Sequence, residues 1–380
     1  MKKDFSILLA PDSFKESMTA KEACEAMEKG IKKVNKNIKC IQVPMADGGE
    51  GTMQSLVDAA GGDIYKLKVI GPLGDEVEAE YGILGDGETG IIEMASASGI
   101  GLVPKEKRNP LITTTYGTGQ LIRECLNHNI KKLLVGIGGS STNDGGVGAI
   151  QALGGKFMNR DGKEIGFGGG ELGKIEKIDL TNFDVRLKNV KLEVACDVTN
   201  PLCGKEGASN VFGPQKGATS EMIKVLDDNL RHYAKIIKEQ INVDVSNIPG
   251  AGAAGGLGAG LMVFLKGELK NGIDIVIEYS KLEEKIKQAD IVFTGEGSID
   301  FQTQYGKTPI GVAMIAKKYN KPVVALAGSV EDGIDVLYEK GIDSIFSIVR
   351  GVTTLDCALK KGSENIEKTV ENIVRLMNVK

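Results

Sequence analysis

Residues 133–149 carry the feature that most limits what this chain can become. An uninterrupted apolar run, Leu133-Leu134-Val135-Gly136-Ile137, passes directly into Gly138-Gly139-Ser140-Ser141-Thr142-Asn143-Asp144-Gly145-Gly146, nine residues without an apolar side chain. A short apolar run that does not alternate reads as a strand buried on both faces. The polar stretch behind it cannot be core. Its glycines let the backbone turn tightly and approach a ligand, and its N–H groups and hydroxyls suit a phosphate or carboxylate. In open α/β sheets ligands bind beyond the carboxyl ends of strands, which is where this loop falls. The same order recurs at Ile41-Gln42-Val43-Pro44 before Asp47-Gly48-Gly49-Glu50-Gly51-Thr52, and at Ile291-Val292-Phe293 before Thr294-Gly295-Glu296-Gly297-Ser298-Ile299-Asp300. The three loops are expected to converge on one cleft.

The rest of the chain frames these runs. A strand is expected at 6–10, then a helix opened by the capping box Thr19-Ala20-Lys21-Glu22, with Ala23, Met27, Ile31 and Val34 on one face. A second strand lies near 40–43, and a helix starts within Glu50-Gly51-Thr52. Segments 64–70, 77–84 and 90–95 read as strands of an antiparallel or mixed sheet. A helix near 117–128, the strand at 133–137 and another at 190–196 follow. Met222, Val225, Leu226, Leu230, Tyr233 and Ile237 mark an amphipathic helix. From residue 289, apolar runs at 291–293, 322–327 and 345–349 alternate with helical patterns at 308–318, 332–340 and 363–377. The expected fold is α/β with two domains. A flavodoxin-like doubly wound parallel sheet is built from both chain ends, 1–63 and 288–380, and a mixed-sheet α/β domain is inserted at 64–287. Two sequential domains would leave only two strands at the N-terminus, too few for a stable sheet.

Charge and composition exclude several functions. With 47 basic and 51 acidic residues, net charge −4, the 380-residue chain lacks the basic excess of a nucleic-acid or membrane-surface binder. The first apolar stretch, Ile7 to Ala10, is too short for a signal peptide, and no segment reaches transmembrane length. Six scattered cysteines without a C-x-x-C read as reduced thiols, so a cytoplasmic location is expected. The two histidines, His128 in a polar turn and His232 in a long helix, argue against histidine-based triads or metal sites. A homo-oligomer remains open.

Two motif look-alikes need separating from real ones. Gly250-Ala251-Gly252-Ala253-Ala254-Gly255 matches the dinucleotide fingerprint, yet Asn247-Ile248-Pro249 precedes it instead of a strand. Those glycines are expected to serve a close backbone approach. Gly306-Lys307-Thr308 ends like a phosphate-binding loop but lacks the first glycine, Phe301 standing in its place. Lys307 and Thr308 do precede Pro309, a residue suited to a helix's first turn, so an anion-binding helix start is expected. Carboxylates in the glycine loops, Asp47, Glu50, Asp144, Glu296 and Asp300, include candidates for a nucleotide-bound Mg²⁺, which takes one or two carboxylates besides phosphate and water. Asp197 ends the apolar run Leu192-Glu193-Val194-Ala195-Cys196, and either points into a cleft or caps a turn. Lys15 and Lys216 are further candidate partners for phosphate or carboxylate.

Taken together, Asp12-Ser13-Phe14-Lys15, Asp47-Gly48-Gly49-Glu50-Gly51-Thr52, Thr115-Tyr116-Gly117-Thr118-Gly119, the 138–146 loop, Ala195-Cys196-Asp197-Val198, Val211-Phe212-Gly213-Pro214-Gln215-Lys216-Gly217-Ala218 and Thr294-Gly295-Glu296-Gly297 resemble the motifs of the bacterial glycerate kinase family, in order and across nearly the whole length. Glu16 stands where glycine would be expected, and Ser141 where alanine is common. The resemblance implies ATP-dependent phosphorylation of D-glycerate, usually to 2-phosphoglycerate. On that reading Asp197 accepts or orients the hydroxyl proton, with Lys15 and Asp47 also in the catalytic set. ATP falls to Gly138, Gly139, Ser140, Ser141, Thr142, Asn143, Asp144, Gly295, Glu296, Lys307 and Thr308, and Mg²⁺ to Glu50, Glu296 and Asp300. The alternatives are phosphorylation of the 3-hydroxyl, another small hydroxy acid, or a non-catalytic sensor of a carboxylate metabolite.

Overall fold

Five apolar runs from the two chain ends pair into one parallel sheet in the computed structural model, which describes residues 5–378. Across the sheet the strands run Ser344–Ser347, Val323–Val330, Ile291–Ile299, Ser6–Pro11 and Lys39–Gln42. Numbered along the chain within this unit, that order is 2-1-3-4-5, the flavodoxin-like arrangement. Every neighbouring pair is parallel, with Leu9 opposite Phe293 and Phe293 opposite Val324. The apolar runs do not alternate because both faces are covered. Ile7, Leu9, Ile291, Phe293, Val324 and Leu326 pack with helices Ala20–Val34 and Gly362–Met377. The interleaved Leu8, Val292 and Ala325 are equally buried, and helices Leu282–Gln288 and Thr308–Lys318 also pack on these strands. Burial of each such Leu, Ile, Val or Phe side chain stabilises the fold by roughly 1.5–3 kcal/mol. The Thr19–Glu22 capping box forms as the sequence suggests. Thr19 N–H donates to Glu22 Oε2 at 2.8 Å, and Glu22 N–H to Thr19 Oγ1 at 3.2 Å.

A second unit has its own core and a six-stranded mixed sheet, in the order Glu268–Lys270, Lys191–Ala195, Lys132–Gly136, Thr89–Glu93, Glu76–Leu84, Gly62–Ile70. The first four are mutually parallel and the last two complete an antiparallel meander. This unit comprises Gly48–Met53 and Gly62–Gly272, and the first comprises the chain up to Asp47, Gln54–Gly61 and from Ile273 onward. The sequence reading set the crossings at 63/64 and 287/288. The difference at the second crossing has a simple cause. Helices Gly272–Tyr279 and Leu282–Gln288 carry Ile273, Val276, Leu282 and Ile286, which are buried in the first unit. Ile273 lies against Gly311 of helix Thr308–Lys318. No helix among the described residues is long and apolar enough to cross a membrane.

Candidate active site

Within the second unit, the 138–146 loop divides into an outward half and a buried half. Asp144 is fully buried and acts as the loop's anchor. Its Oδ2 accepts from Thr115 N–H and Thr115 Oγ1, both at 2.8 Å, and from Gly148 N–H at 3.3 Å, while Oδ1 accepts from Gly146 N–H at 3.1 Å. Burial raises its pKa and these bonds oppose the rise. Ser141 Oγ donates to Ser98 O, and Asn143 exchanges hydrogen bonds with Ser209. The Thr142 hydroxyl is buried without a hydrogen-bond partner. Four of the residues expected to bind ATP, Ser141 to Asp144, are buried, and hydrogen bonds of Ser141, Asn143 and Asp144 hold the loop from inside. Helix Ala253–Leu265 braces them. A Cβ at Gly255 would lie 2.0 Å from Thr142 O, and Gly145 N–H donates to Gly255 O. The 250–255 glycines thus serve the close backbone approach that their context suggested.

The outward half, Gly138, Gly139 and Ser140, lines a cavity of about 380 Å³ together with Gly48, Gly49, Asp197 and Lys216. That volume suits a small-molecule ligand. Among the described residues, Gly138 and Gly139 donate their peptide N–H groups to no protein acceptor. Asp197 follows strand Lys191–Ala195 by two residues, is exposed, and accepts from Gly272 N–H at 2.9 Å through Oδ1. The 47–52 loop comes close beside it. Gly48 has φ +95°, and a Cβ there would lie 2.5 Å from Gly272 Cα and 3.4 Å from Asp197 Oδ2. Glu93 holds this loop by accepting from Met53 N–H at 2.8 Å, with Gly51 and Thr52 also bonded to it. Lys216 is the least expected feature. It is 2% exposed, and its Nζ donates to Ser140 Oγ at 2.8 Å and Thr142 O at 2.7 Å. Burial lowers its pKa to about 7, against an opposing pull from Asp144.

The third glycine segment belongs to the first unit and is not a loop. Strand Ile291–Ile299 runs through it, pairing Gly295 with Leu326 and Ile299 with Val330. Gly295 is buried, and a Cβ there would lie 2.2 Å from Leu326 O, so the close approach of the neighbouring strand requires glycine here. Glu296 and Asp12 follow where the central strands Ser6–Pro11 and Ile291–Ile299 part, the switch point at which such sheets bind ligands. Asp12 accepts from Thr308 Oγ1 at 2.6 Å and from Ser13 N–H at 2.6 Å. Burial, aided by the charge of Asp47, raises its pKa to about 6. Glu296 accepts from Thr303 Oγ1 at 2.9 Å and lies 3.9 Å from Lys307 Nζ. Burial raises its pKa to about 7, opposed by Lys307 and Thr303 and assisted by Asp12 and Asp300. Asp300 caps the short helix Phe301–Gln304 by accepting from Gln302 and Thr303 N–H, and meets Lys307 Nζ at 3.5 Å. Lys307 and Thr308 open helix Thr308–Lys318, as anticipated.

Residues 7–378 match the model of the glycerate kinase family. The chain belongs to the glycerate kinase family. A glycerate kinase of Halalkalibacterium halodurans is 54% identical over 368 residues, 97% of each chain, and the glycerate 2-kinase of Escherichia coli is 51% identical over 373 residues, 98% of each. A crystal structure described as glycerate kinase 2 from Salmonella typhimurium superposes with a TM-score of 0.92 at 48% identity, covering 98% of both chains. Within this family frame, the structure sorts the expected residues by unit. Asp197 and Gly138–Ser140 share a cavity in the second unit. Asp12, Asp47, Glu296, Asp300, Lys307 and Thr308 cluster in the first. The three carboxylates assigned to the metal divide between the units, Glu50 being exposed in the second and Glu296 and Asp300 in the first. No group of three metal-ligating side chains occurs among the described residues. Lys15 is exposed beside Gly297 in the first unit. Asp12 and Glu93 went unremarked as individual side chains in the sequence. Asp12 had a readable signal, a carboxylate directly after the first strand; Glu93 had none.

Proposed function

We infer that the protein is an ATP-dependent kinase that phosphorylates D-glycerate on its C2 oxygen, giving 2-phosphoglycerate. The observation that carries this reading is the shared cavity of Asp197 and the outward half of the 138–146 loop, in a chain of the glycerate kinase family. A carboxylate at the end of a rigid strand, beside unused N–H donors, can hold a hydroxyl at one end of a small acid while the loop receives negative charge. In the transfer, the C2 oxygen forms a bond to the γ-phosphorus and the bond from that phosphorus to the departing ADP oxygen breaks. The hydroxyl proton passes to Asp197 or leaves with the product phosphate. Because a carboxylate is a weak base near neutrality, Asp197 acts chiefly by orienting the hydroxyl.

ATP and Mg²⁺ suit the first-unit cluster. Two half-buried carboxylates have pKa values near 6 and 7 because burial and neighbouring acids disfavour their charge. Among the described residues, Lys307 is the cation paired with Glu296 and Asp300, so the cluster carries more negative charge than this lysine neutralises. A divalent cation is the ligand that such a set accepts, with Glu296 and Asp12 as its holders. It would neutralise phosphate charge. Lys307 and the start of helix Thr308–Lys318 would receive phosphate oxygens directly. The six unpaired cysteines accord with a cytoplasmic enzyme.

The test is ADP release from purified protein with Mg-ATP and D-glycerate, against L-glycerate and no-substrate controls, with NMR of the product. D-glycerate-dependent turnover with phosphorus on the C2 oxygen is expected. Phosphorus on C3 would overturn the regiochemistry, and no turnover from folded protein would overturn the assignment.

A further inference from the structure

We propose that Lys216 is the carboxylate receptor of the second-unit cavity, its ammonium binding the carboxylate of the acid substrate while Asp197 holds the hydroxyl. This rests on the glycerate kinase reading above. Lys216 is buried among neutral acceptors, Ser140 Oγ and Thr142 O, and forms no ion pair within the protein. An ammonium has three N–H donors, so one remains after these two bonds. A buried charge without a counter-ion is costly. The protein leaves this cost standing in the wall of an open cavity.

The charged groups around Lys216 do not relieve it. Asp144 is engaged by Thr115, Gly146 and Gly148 and only partly offsets the burial that lowers the lysine's pKa to about 7. Asp197 lines the same cavity but accepts from Gly272. Arg108, near the Lys216 turn, donates to Gln215 O. A ligand carboxylate brings one negative charge and an acceptor for the remaining N–H, which matches what Lys216 lacks. A triphosphate brings several charges, more than this single ammonium answers. A lysine that only braced Ser140 and Thr142 would serve as well if neutral and would be indifferent to substrate charge.

That indifference separates the two roles. Lys216→Met keeps an unbranched side chain one atom shorter and removes the charge. Steady-state kinetics should give a KM for D-glycerate raised at least about 30-fold, the effect of truncating one partner of a buried charge pair, with KM for ATP within about threefold of wild type. Calorimetric binding of D-glyceramide, the neutral amide, should be the same in both proteins. Equal losses for acid and amide would reduce Lys216 to a brace, a raised ATP KM instead would make it a phosphate ligand, and unchanged constants would remove it from the site. Should the variant not fold, wild-type protein still decides: it should bind D-glycerate at least about 30-fold more tightly than D-glyceramide, and equal affinities would overturn the proposal. Absence of any D-glycerate turnover by wild type would instead contradict the kinase reading.

Discussion

The 138–146 loop and the 291–308 segment begin alike in sequence, an apolar run followed by glycine, hydroxyl and carboxylate residues, yet they fold into sites of opposite character. In the second unit the acid of the motif, Asp144, turns inward and is fully engaged, leaving N–H groups and a buried lysine around the cavity. In the first unit the acids stay at the carboxyl end of the strands, where burial, helped by neighbouring acids, makes Glu296 and Asp12 resist ionisation. One region presents N–H donors and an ammonium, the other carboxylates with one lysine among them. What separates them is where each carboxylate's hydrogen-bond donors lie. Asp144 meets two backbone N–H groups at the start of helix Val147–Ala152, whereas Glu296 meets a single threonine hydroxyl and a lysine at 3.9 Å.

The comparison breaks most visibly at Asp197. Asp197→Asn should lower kcat by at least about 100-fold, and up to about 10⁴-fold, with KM for D-glycerate little changed; near-normal kcat would remove Asp197 from the chemistry. A smaller but structural loss is expected from Gly255→Ala, whose methyl would meet Thr142 O at a position with φ +67°. Overpacking and left-handed strain together should cost about 3 kcal/mol, read as a lower urea midpoint, with weakened D-glycerate binding in the protein that remains folded. Normal stability and binding would show that the loop does not depend on this brace.

For the first unit the expected effect follows from the direction of the shift at Glu296. Its folded pKa, about 7, lies above the ordinary 4.5, so the folded state holds its proton more tightly. That contribution is fully present below about pH 4.5 and is lost as pH rises through 7. Wild-type stability should therefore fall by roughly 2–3 kcal/mol from this group between pH 5 and 8, with Asp12 adding in the same sense. Urea unfolding of Glu296→Gln should show a visibly flatter dependence over that range. An unchanged slope would mean that the carboxylate is not strained by its surroundings. The smallest effect concerns Glu16, which holds φ +62°. Glu16→Gly should stabilise by about 0.5–1 kcal/mol without altering turnover, and a loss of stability would contradict strain there.

Glu16 also illustrates what the sequence disclosed. Its departure from the glycine expected by resemblance was visible, but the reason, a left-handed backbone, is a property of the folded turn. The parallel sheet was legible because Ile7–Ala10, Ile291–Phe293 and Val323–Leu326 are apolar without alternation, which only a doubly covered sheet demands. Strand Glu268–Lys270 and the pair Lys156–Met158 and Lys177–Asp179 were not, since three-residue strands have no period to read. Asp197 was legible from its place after a strand. The burial of Ser141 to Asp144 was not, because polar residues without apolar neighbours look like surface until Thr115, Ser98 and Ser209 arrive from distant segments to satisfy them. Lys216 was visible as a candidate cation, and its burial on two neutral acceptors, without an ion pair, is a fact of three dimensions alone.

The division of labour between the two regions is tested most directly by calorimetric titration of Glu296→Gln with Mg-ATP and, separately, with D-glycerate. The account predicts Mg-ATP affinity reduced at least about tenfold, as expected for loss of a carboxylate that supports a metal site, with D-glycerate affinity equal to wild type. Weakened D-glycerate binding with Mg-ATP binding intact would contradict it.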